Sequence, residues 1–233
     1  MSTSELQRIK DVYNARISGG VISRYSLLRP GELFMAQARE RALLQLMGRN
    51  GVVNVEGLKI LEVGCGRGHR LFDWVRWGSR VPDLTGIDLM ESLLHEARSN
   101  LPTARFVLAH AGNLPFRDAS FDIVCQFTLF SSILAPEMRQ AVATEMWRVL
   151  RPGGLVLWYD FRYPNPRNPD VRPVGKDEIL GLFPGAVFRI RSTTLLPPLS
   201  RWLARHSALA CEIASLLPVL RSHYAALLAK SSQ

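Results

Sequence analysis

The hydrophobic pattern changes its period along this chain of 233 residues. In the first fifty residues, apolar side chains recur every three or four positions, which predicts helices over Glu5–Ile17 and Pro30–Met47. Gly19 and Gly20 separate the two helices. From about residue 57, short apolar runs alternate with helical stretches. This order predicts an α/β fold with a mainly parallel sheet.

Seven runs are predicted as strands: Gly57–Val63, Leu84–Ile87, Arg105–Ala109, Ser120–Gln126, Leu155–Tyr159, Ala186–Thr194 and His223–Lys230, the last with helix as an alternative. Helices are predicted between them at Arg70–Trp77, Ser92–Ser99, Pro136–Leu150 and Gly175–Leu182. Ligands of open α/β sheets bind beyond the carboxyl ends of the strands. We therefore expect the functional residues at the strand ends.

Composition and charge narrow the class of protein. A hydrophobic content of 47% with 21% charged residues is ordinary for a globular protein. The polar N-terminus does not resemble a secretory signal, and no apolar run approaches the ~20 residues of a membrane helix. Cys65, Cys125 and Cys211 are far apart, so we predict reduced thiols in a cytoplasmic protein. No catalytic triad and no metal-ligand cluster is apparent.

The net charge of +9 is unevenly placed. Residues 148–230 hold twelve Lys/Arg against five Asp/Glu, a net of +7. A basic excess favours an anionic partner, such as a phosphorylated substrate, an anionic membrane surface or nucleic acid. The alternative is a solvated basic face. We expect a cytoplasmic protein, with peripheral association with a membrane as one possibility.

One stretch, Lys59–His69, organises the rest of the chain. An apolar run ends at Glu62 and Val63, and Gly64, Gly66 and Gly68 follow before a helical pattern. Such a turn lets a ligand approach the backbone and the free N–H groups of the next helix. Arg70 stands where a dinucleotide fingerprint needs glycine, and no Lys-Ser/Thr follows, so neither that fingerprint nor a P-loop is present.

Glu-x-Gly-x-Gly-x-Gly resembles motif I of the class I methyltransferases that depend on S-adenosylmethionine (SAM). Further matches follow in the expected order. Asp88 ends the second strand 24 residues after Gly64, Leu114-Pro115-Phe116 resembles the loop that borders adenine, Phe121-Asp122 begins a Phe-Asp-x-Val motif, and an Arg-x-Leu-Arg-Pro-Gly-Gly element ends at Gly154. The core from Leu58 to Asp160 is therefore similar to the type 11 group of these enzymes.

The resemblance implies SAM as the cofactor and a set of contacts for it. The implied cofactor-binding residues are Glu62, Gly64, Cys65, Gly66, Asp88, Leu89, Asn113, Gln126 and Tyr25. Asp88 would hold the ribose hydroxyls, and Gln126 would face the place where cofactor and acceptor meet. Two positions depart from the pattern, since His110 stands where Asp is usual and Gly112 where Glu is usual. Backbone groups, Asn113 or a neutral His110 nitrogen would have to replace the missing carboxylate.

The predicted fold is α/β, a Rossmann-like, seven-stranded and mostly parallel sheet with helices on both faces. An N-terminal helical cap occupies residues 1–50 and the SAM-binding core residues 51–194. Residues 195–233 add an apolar helical insert and the closing strand, and all three parts belong to one domain. The insert is rich in apolar side chains, among them Trp202, Leu203, Leu209, Ile213, Leu216 and Leu217. These side chains could cover the core, line a lipid-like acceptor site, or lie on a membrane with Arg201 and Arg205 at the head groups.

The predicted activity is methyl transfer from SAM to a small-molecule acceptor, with a hydroxyl of a sugar or lipid-linked glycan as the expected target. The alternatives are C-methylation of a quinone-like prenylated ring, and a non-catalytic SAM-binding scaffold at a membrane. A nucleic-acid substrate is disfavoured because no Asn/Asp-Pro-Pro-Tyr/Phe motif follows the fourth strand. The catalytic residues are unknown; Asp160 and His223 are the candidate bases, and Tyr159 and His110 are conceivable ones.

Overall fold

The computed structural model describes residues 3–19, 25–166 and 168–231. The predicted helix break at Gly20 lies outside them. The helices are α1 (Thr3–Ser18), α2 (Pro30–Arg49), α3 (His69–Arg76), α4 (Glu91–Asn100), α5 (Pro136–Val149), α6 (Lys176–Leu182), α7 (Pro197–Leu203) and α8 (Ala208–Ser215). The strands are β1 (Ile60–Val63), β2 (Leu84–Asp88), β3 (Arg105–Leu108), β4 (Phe121–Phe127), β5 (Leu150–Phe161), β6 (Val187–Leu195) and β7 (Arg221–Ala229).

The seven strands form one sheet in the order β3-β2-β1-β4-β5-β7-β6. Neighbours from β3 to β5 are parallel, whereas β7 runs antiparallel to both β5 and β6. This confirms the predicted seven-stranded, mostly parallel sheet, including the strand at the C-terminus. Because β7 alone among the seven strands is reversed, the carboxyl ends of β1 to β6 lie along one edge of the sheet.

Successive side chains of the central strands enter two different cores, as strand geometry requires. Val124 of β4 joins the core formed with α5 and α6, whereas Ile123 and Cys125 join the core formed with α2 and α3. Likewise, Trp158 of β5 joins the core with α5 and α6, and Tyr159 joins the core with α2 and α3. Helices therefore cover both faces, and the near-continuous apolar runs of the strands follow from this double burial.

The fifth strand is longer than its apolar run predicts. The structure begins β5 at Leu150, which pairs with Phe121, whereas the sequence predicted a start at Leu155 after a Pro-Gly-Gly break. The register then shifts so that Ile123 pairs with Leu155. Gly153 takes a positive φ of 72° inside this irregularity. Gly153 and Gly154 therefore form a bulge within β5, whereas the sequence predicted only a break between the preceding helix and the strand.

The segment between β6 and β7 contains α7 and α8. His223, near the start of β7, pairs with Phe161 at the end of β5 and with Thr193 near the end of β6. The helices that connect β6 to β7 therefore lie at the same sheet edge as the carboxyl ends of β1 to β5. They pack on α2 so closely that a Cβ on Gly31 would lie 2.7 Å from the Cα of Arg201. The Arg201 side chain also donates to Glu32 at 2.7 Å. Helix α2 and the C-terminal segment thus form one joined wall.

Among the residues that the structure describes, no helix is both long and apolar enough to cross a membrane.

Candidate functional site

A cavity opens where β1, β2 and β4 end. It holds about 720 Å³ of space free of protein atoms, which includes part of the open solvent at its mouth. Four of the nine implied cofactor contacts lie together on its wall: Gly64, Gly66, Asp88 and Leu89. The structure therefore brings the first glycine turn and the end of β2 to one place.

Backbone hydrogen bonds hold this turn. The N–H groups of Gly64 and Cys65 both donate to the Ile87 carbonyl at 2.9 Å. Asp88 Oδ2 accepts from Gly66 N at 2.8 Å, and Oδ1 accepts from Met90 N at 3.0 Å. The Asp88 carboxylate is thus fixed at the wall of the cavity by its own strand end and by the glycine turn.

The glycine at position 64 is required by space and by conformation. Its φ is +75°, which disfavours any side chain, and an added Cβ would lie 2.9 Å from Leu129 Cδ1. Gly66 is different, because a Cβ there would meet nothing within 4 Å. The open space beside Gly66 lies on the cavity side, where a ligand can approach the backbone.

Glu62 lies one strand position before the turn and is 1% exposed. Its Oε2 has no hydrogen-bond partner among the described residues. Burial raises the pKa of this carboxyl well above its usual value, and Arg70 opposes the rise only in part. A buried polar atom without a partner is costly, so a ligand with a cationic or hydroxyl group would complete its bonding.

Besides Glu62 and Tyr25, three further predicted contact residues do not line the first cavity. The side chain of Gln126 is fully buried, since its amide nitrogen donates to the Tyr159 carbonyl and its oxygen accepts from Leu129 N. Cys65 is buried against β2, so close to Gly86 that a Cβ there would lie 2.6 Å from its Sγ. Asn113 is exposed. Gln126 therefore shapes the loop after β4 instead of facing the site, and the Cys65 side chain packs inward.

His110 lines the cavity at the position where the family pattern has Asp. Its Nδ1 accepts from Gly112 N at 3.1 Å, and burial lowers the pKa of the ring. In the neutral ring the proton is then on Nε2, so the nitrogen left for a ligand is a donor. A neutral His110 therefore cannot replace the missing carboxylate as an acceptor. Its Nε2–H can instead donate to a ring nitrogen of the ligand.

Helix α1 closes the first cavity from one side. Leu6, Ile9 and Tyr13 line the cavity, and the Tyr13 hydroxyl lies 3.2 Å from Ser132 Oγ. Glu5 Oε1 accepts from Leu134 N at 2.7 Å, which anchors the helix to the loop after β4. Burial raises the pKa of the Tyr13 phenol. The N-terminal helix is thus a fixed wall.

A second cavity adjoins the first and shares Phe127 and Thr128 with it. The remaining residues of its wall are Tyr25, Leu27, Glu32, Met35, Ala36, Arg39, Arg70 and Tyr159. Tyr25, predicted as a cofactor contact, lies here and not in the first cavity. Thr128 takes a positive φ of 58°, which turns the chain at the boundary between the cavities.

Arg39 and Arg70 make one end of the second cavity cationic, and the sequence analysis missed both. The Arg39 guanidinium lies 5.7 Å from the centre of the Tyr159 ring and 3.9 Å from an Asp73 oxygen. Burial lowers the pKa of Arg39, as expected for a cation partly removed from water. Its role could not be read from sequence, because it depends on how α2 folds back over the carboxyl edge of the sheet.

The candidate bases lie away from both cavities or have their groups engaged. Asp160 is fully buried and accepts from the N–H groups of Ser131 and Phe161; burial raises its pKa to about 6. His223 stacks on Tyr159 with centroids 4.5 Å apart, and burial lowers its pKa to about 3. The Tyr159 hydroxyl lies 2.9 Å from Thr194 Oγ1. Asp160 therefore holds the loop after β4 against β5, and His223 packs β7 against β5, so the prediction of either as a base finds no geometric support.

No group of three or more His, Cys, Asp or Glu that could hold a metal ion is present within residues 3–19, 25–166 and 168–231.

Residues 60–154 match the family described as "Methyltransferase domain". The chain contains a class I SAM-dependent methyltransferase domain. SAM is the cofactor of this domain, as the resemblance implied. A phthiotriol/phenolphthiotriol dimycocerosates methyltransferase 1 of Mycobacterium ulcerans is 38% identical over 115 residues, which are 48% of this chain and 41% of that protein. A fatty-acid O-methyltransferase of Mycolicibacterium smegmatis is 39% identical over 111 residues, 47% of this chain and 39% of that protein.

The chain thus spans about two fifths of the length of these two curated relatives. One solved structure covers almost all of this chain. It is the 1,6-didemethyltoxoflavin-N1-methyltransferase of Burkholderia thailandensis with bound 1,6-didemethyltoxoflavin and S-adenosylhomocysteine, with a TM-score of 0.65, 16% identity, and coverage of 99% of this chain and 91% of that one. This likeness shows the common fold.

Three features in and beneath the first cavity fit SAM. They are the partly buried carboxylate of Asp88 at the wall, the unpartnered oxygen of Glu62 beneath the turn, and the open backbone at Gly66.

Proposed function

We propose that the whole protein is a SAM-dependent methyltransferase that methylates an oxygen of a lipid-type acceptor. The observation that carries the proposal is the meeting of two cavities at Phe127 and Thr128. The first is the cofactor site. The second is lined by apolar and aromatic side chains and ends at Arg39 and Arg70, which suits an amphiphile with an anionic or polar head.

In this proposal each wall residue has a task in binding. Asp88 accepts from the ribose hydroxyls, Glu62 completes its bonding with the cationic end of the cofactor, and the backbone at Gly64 and Gly66 makes room for it. SAM supplies an electrophilic methyl group on a sulfonium. Tyr13 and Thr128 exclude water from the boundary where the acceptor oxygen meets that methyl group, and alignment in a dry site supplies much of the rate.

The acceptor oxygen need not lose a proton if it belongs to a carboxylate. This matters because Asp160 and His223 are buried away from the cavities, and Glu32, the carboxylate of the second cavity, is paired with Arg201 at 2.7 Å. A carboxylate is already ionised at neutral pH. The fatty-acid O-methyltransferase among the relatives is named for such an acceptor. A carboxylic acid of lipid type is therefore our first candidate, and the sugar hydroxyl predicted from sequence is the second.

The test is transfer of label from methyl-labelled SAM to a panel of acceptors: long-chain fatty acids, lipid-linked sugars and prenylated quinols. Transfer to the fatty acids supports the proposal, and transfer to sugar hydroxyls alone would replace the carboxylate by a hydroxyl. Transfer only to a carbon atom of the quinols would identify the protein as a C-methyltransferase. Micromolar binding of SAM in a calorimeter without turnover on any acceptor would favour the non-catalytic scaffold.

Arg39 allows a sharper experiment, since a carboxylate beside it could come from the cofactor or from the acceptor. In Arg39→Met, a rise of the KM for the acceptor alone places the acceptor head group at the cationic end of the second cavity. A rise of the KM for SAM alone places the amino-acid end of the cofactor there and removes this part of the proposal. Arg49→Met, at the far end of the same helix, is the matched control.

A further inference from the structure

The segment from α7 to β7 leaves large apolar side chains uncovered. Trp202 is 62% exposed and Leu216 is 71% exposed, and the others in the segment with more than half of their surface exposed are Leu209, Ile213, Leu217 and Val219. We call these six residues the apolar patch. Single exposed apolar residues are normal, but a cluster within eighteen successive positions marks an interaction surface.

Helix α8 carries part of the apolar patch on a face that is distinct from its buried face. Leu209, Ile213 and Leu216 follow each other at steps of four and three residues, so they share one helix face. The opposite face already buries Cys211 against Phe34 and Leu195. The helix is therefore apolar on both sides, and only one side has a protein partner among the described residues.

The charge around the patch is basic. Between residues 195 and 220 the only acidic residue is Glu212, and Arg41 pairs with it at 2.7 Å. Arg205 is exposed beside the patch and has no carboxylate partner in the described part of the chain. An apolar face with a free cation at its border complements a surface that offers hydrocarbon below anionic head groups.

The patch lies near the second cavity, the proposed acceptor site. Glu32, which lines the second cavity, is bonded to Arg201, the residue before Trp202. Leu28 is 95% exposed at the start of α2, three positions before Gly31, which touches α7. Apolar surface therefore continues from the patch toward the mouth of the second cavity.

We infer that the apolar patch docks on an anionic lipid bilayer and so presents the second cavity to acceptors held in the membrane. The purpose of the docking rests on the proposed function, whereas the docking itself does not. In such a pose Trp202 lies in the head-group region, where amphipathic indole rings are favoured. Arg205 lies at the lipid phosphates.

The first experiment is co-sedimentation of the full chain with vesicles of phosphatidylcholine alone, or mixed with phosphatidylglycerol. We expect binding to the mixed vesicles that weakens as salt is added. Leu209→Glu combined with Ile213→Glu should lower the bound fraction about tenfold or more, because two charges would then enter the apolar layer. The control is Val53→Glu, an equally severe change at a residue 91% exposed before β1, at the opposite sheet edge. Arg205→Glu should weaken binding to mixed vesicles, and Arg49→Glu should not.

Trp202 supplies an independent signal, because it is the only exposed tryptophan of the five. Its emission should shift to the blue on binding and should be quenched by lipids brominated near the head group, and Trp202→Phe should abolish both effects. Equal binding to both kinds of vesicle, no binding, or equal losses in Val53→Glu would overturn the inference. A concentration-dependent dimer that the patch variant dissociates would do so as well, because a second copy would then cover the patch.

Calorimetric binding of SAM separates this inference from the proposed function. A patch variant that still binds SAM and still methylates a short, water-soluble acceptor, but no longer one embedded in vesicles, supports both proposals. If the wild type binds vesicles but methylates no acceptor, the docking stands and the proposed function fails. If it turns over without binding vesicles, the proposed function stands and the docking fails.

Discussion

The two cavities are built by different means. The first is formed by backbone: successive N–H groups of the glycine turn donate to Ile87 and Asp88, all within 25 residues of sequence. The second is formed by long side chains from distant segments, such as Arg39 of α2 and Tyr159 of β5. A backbone-made site tolerates few changes and suits a ligand that never varies. A side-chain-made site can be rebuilt by substitution, which suits acceptor choice.

One side of the first cavity depends on a buried arginine, Arg139, which holds the backbone of the wall residue Ile133 and gives the largest predicted effect. It is fully buried and donates to the Ile133 carbonyl, the Arg172 carbonyl and Glu178. Arg139→Met should lower the free energy of unfolding by about 2–4 kcal/mol, because the Ile133 and Arg172 carbonyls lose their donor and Glu178 keeps only Arg172. Arg98→Met is the control, since Arg98 pairs with Glu91 at the same 2.6 Å but on the surface, where a pair is worth about 0–1 kcal/mol. Equal losses in urea titrations of the two variants would show that the interior bonds do not hold the wall.

The second prediction tests the backbone-made site. Asp88→Ala removes the acceptor for Gly66 N and Met90 N and the proposed acceptor for the ribose. We expect SAM to bind more weakly by about 1–3 kcal/mol, the cost of lost charge-assisted hydrogen bonds in a partly buried site. Calorimetry measures this, with Glu56→Ala as an exposed control. Unaltered affinity would mean that Asp88 only shapes the turn.

The third prediction uses two neighbours on β5 and β7 whose pKa values move apart. Burial raises the pKa of Asp160 to about 6 from 3.8, so the folded state holds its proton between these values and stability falls as pH rises through that window. Burial lowers the pKa of His223 to about 3 from 6.5, so the unfolded state binds the proton and stability rises over pH 3 to 6.5. The two slopes, each at most about 1.4 kcal/mol per pH unit, oppose each other.

The unfolding free energy of single variants between pH 4 and 6 separates the two slopes. Relative to the wild type, Asp160→Asn should make stability rise more steeply with pH, and His223→Phe should make it fall. Parallel profiles for both variants and the wild type would show that neither group is shifted as its burial requires.

The smallest predicted effect concerns the adenine side of the first site. His110→Ala removes the Nε2 donor and should weaken SAM binding by roughly 0.5–1.5 kcal/mol, the worth of one hydrogen bond. Asn113→Ala, three residues later and exposed, should leave the affinity as it is. A larger loss in Asn113→Ala than in His110→Ala would restore the sequence-based role of Asn113.

These contrasts explain how much could be predicted from sequence. The glycine turn, Asp88 and the order of strands follow from local chemistry, since φ > 0 at Gly64 and a carboxylate at a strand end are visible in the residues themselves. Gln126 could not be placed, because whether its amide faces the site or the Leu129 backbone depends on the conformation of the loop after β4. Arg39 carries no signal at all in the sequence. Its place becomes visible only when α2 lies over Tyr159.

The position of β7 has a consequence for the synthesis of the protein. Strand β7 lies between β5 and β6, although it is the last strand along the chain. During translation, β6 therefore emerges without a neighbour and must wait until residues 221–229 leave the ribosome. For that interval a nascent chain exposes the edge of β5 and an unpaired β6, together with the apolar side chains of α7 and α8. Chaperone contact on the ribosome should therefore concentrate in the interval between the emergence of β6 and that of β7, and should end when β7 pairs with both of its neighbours.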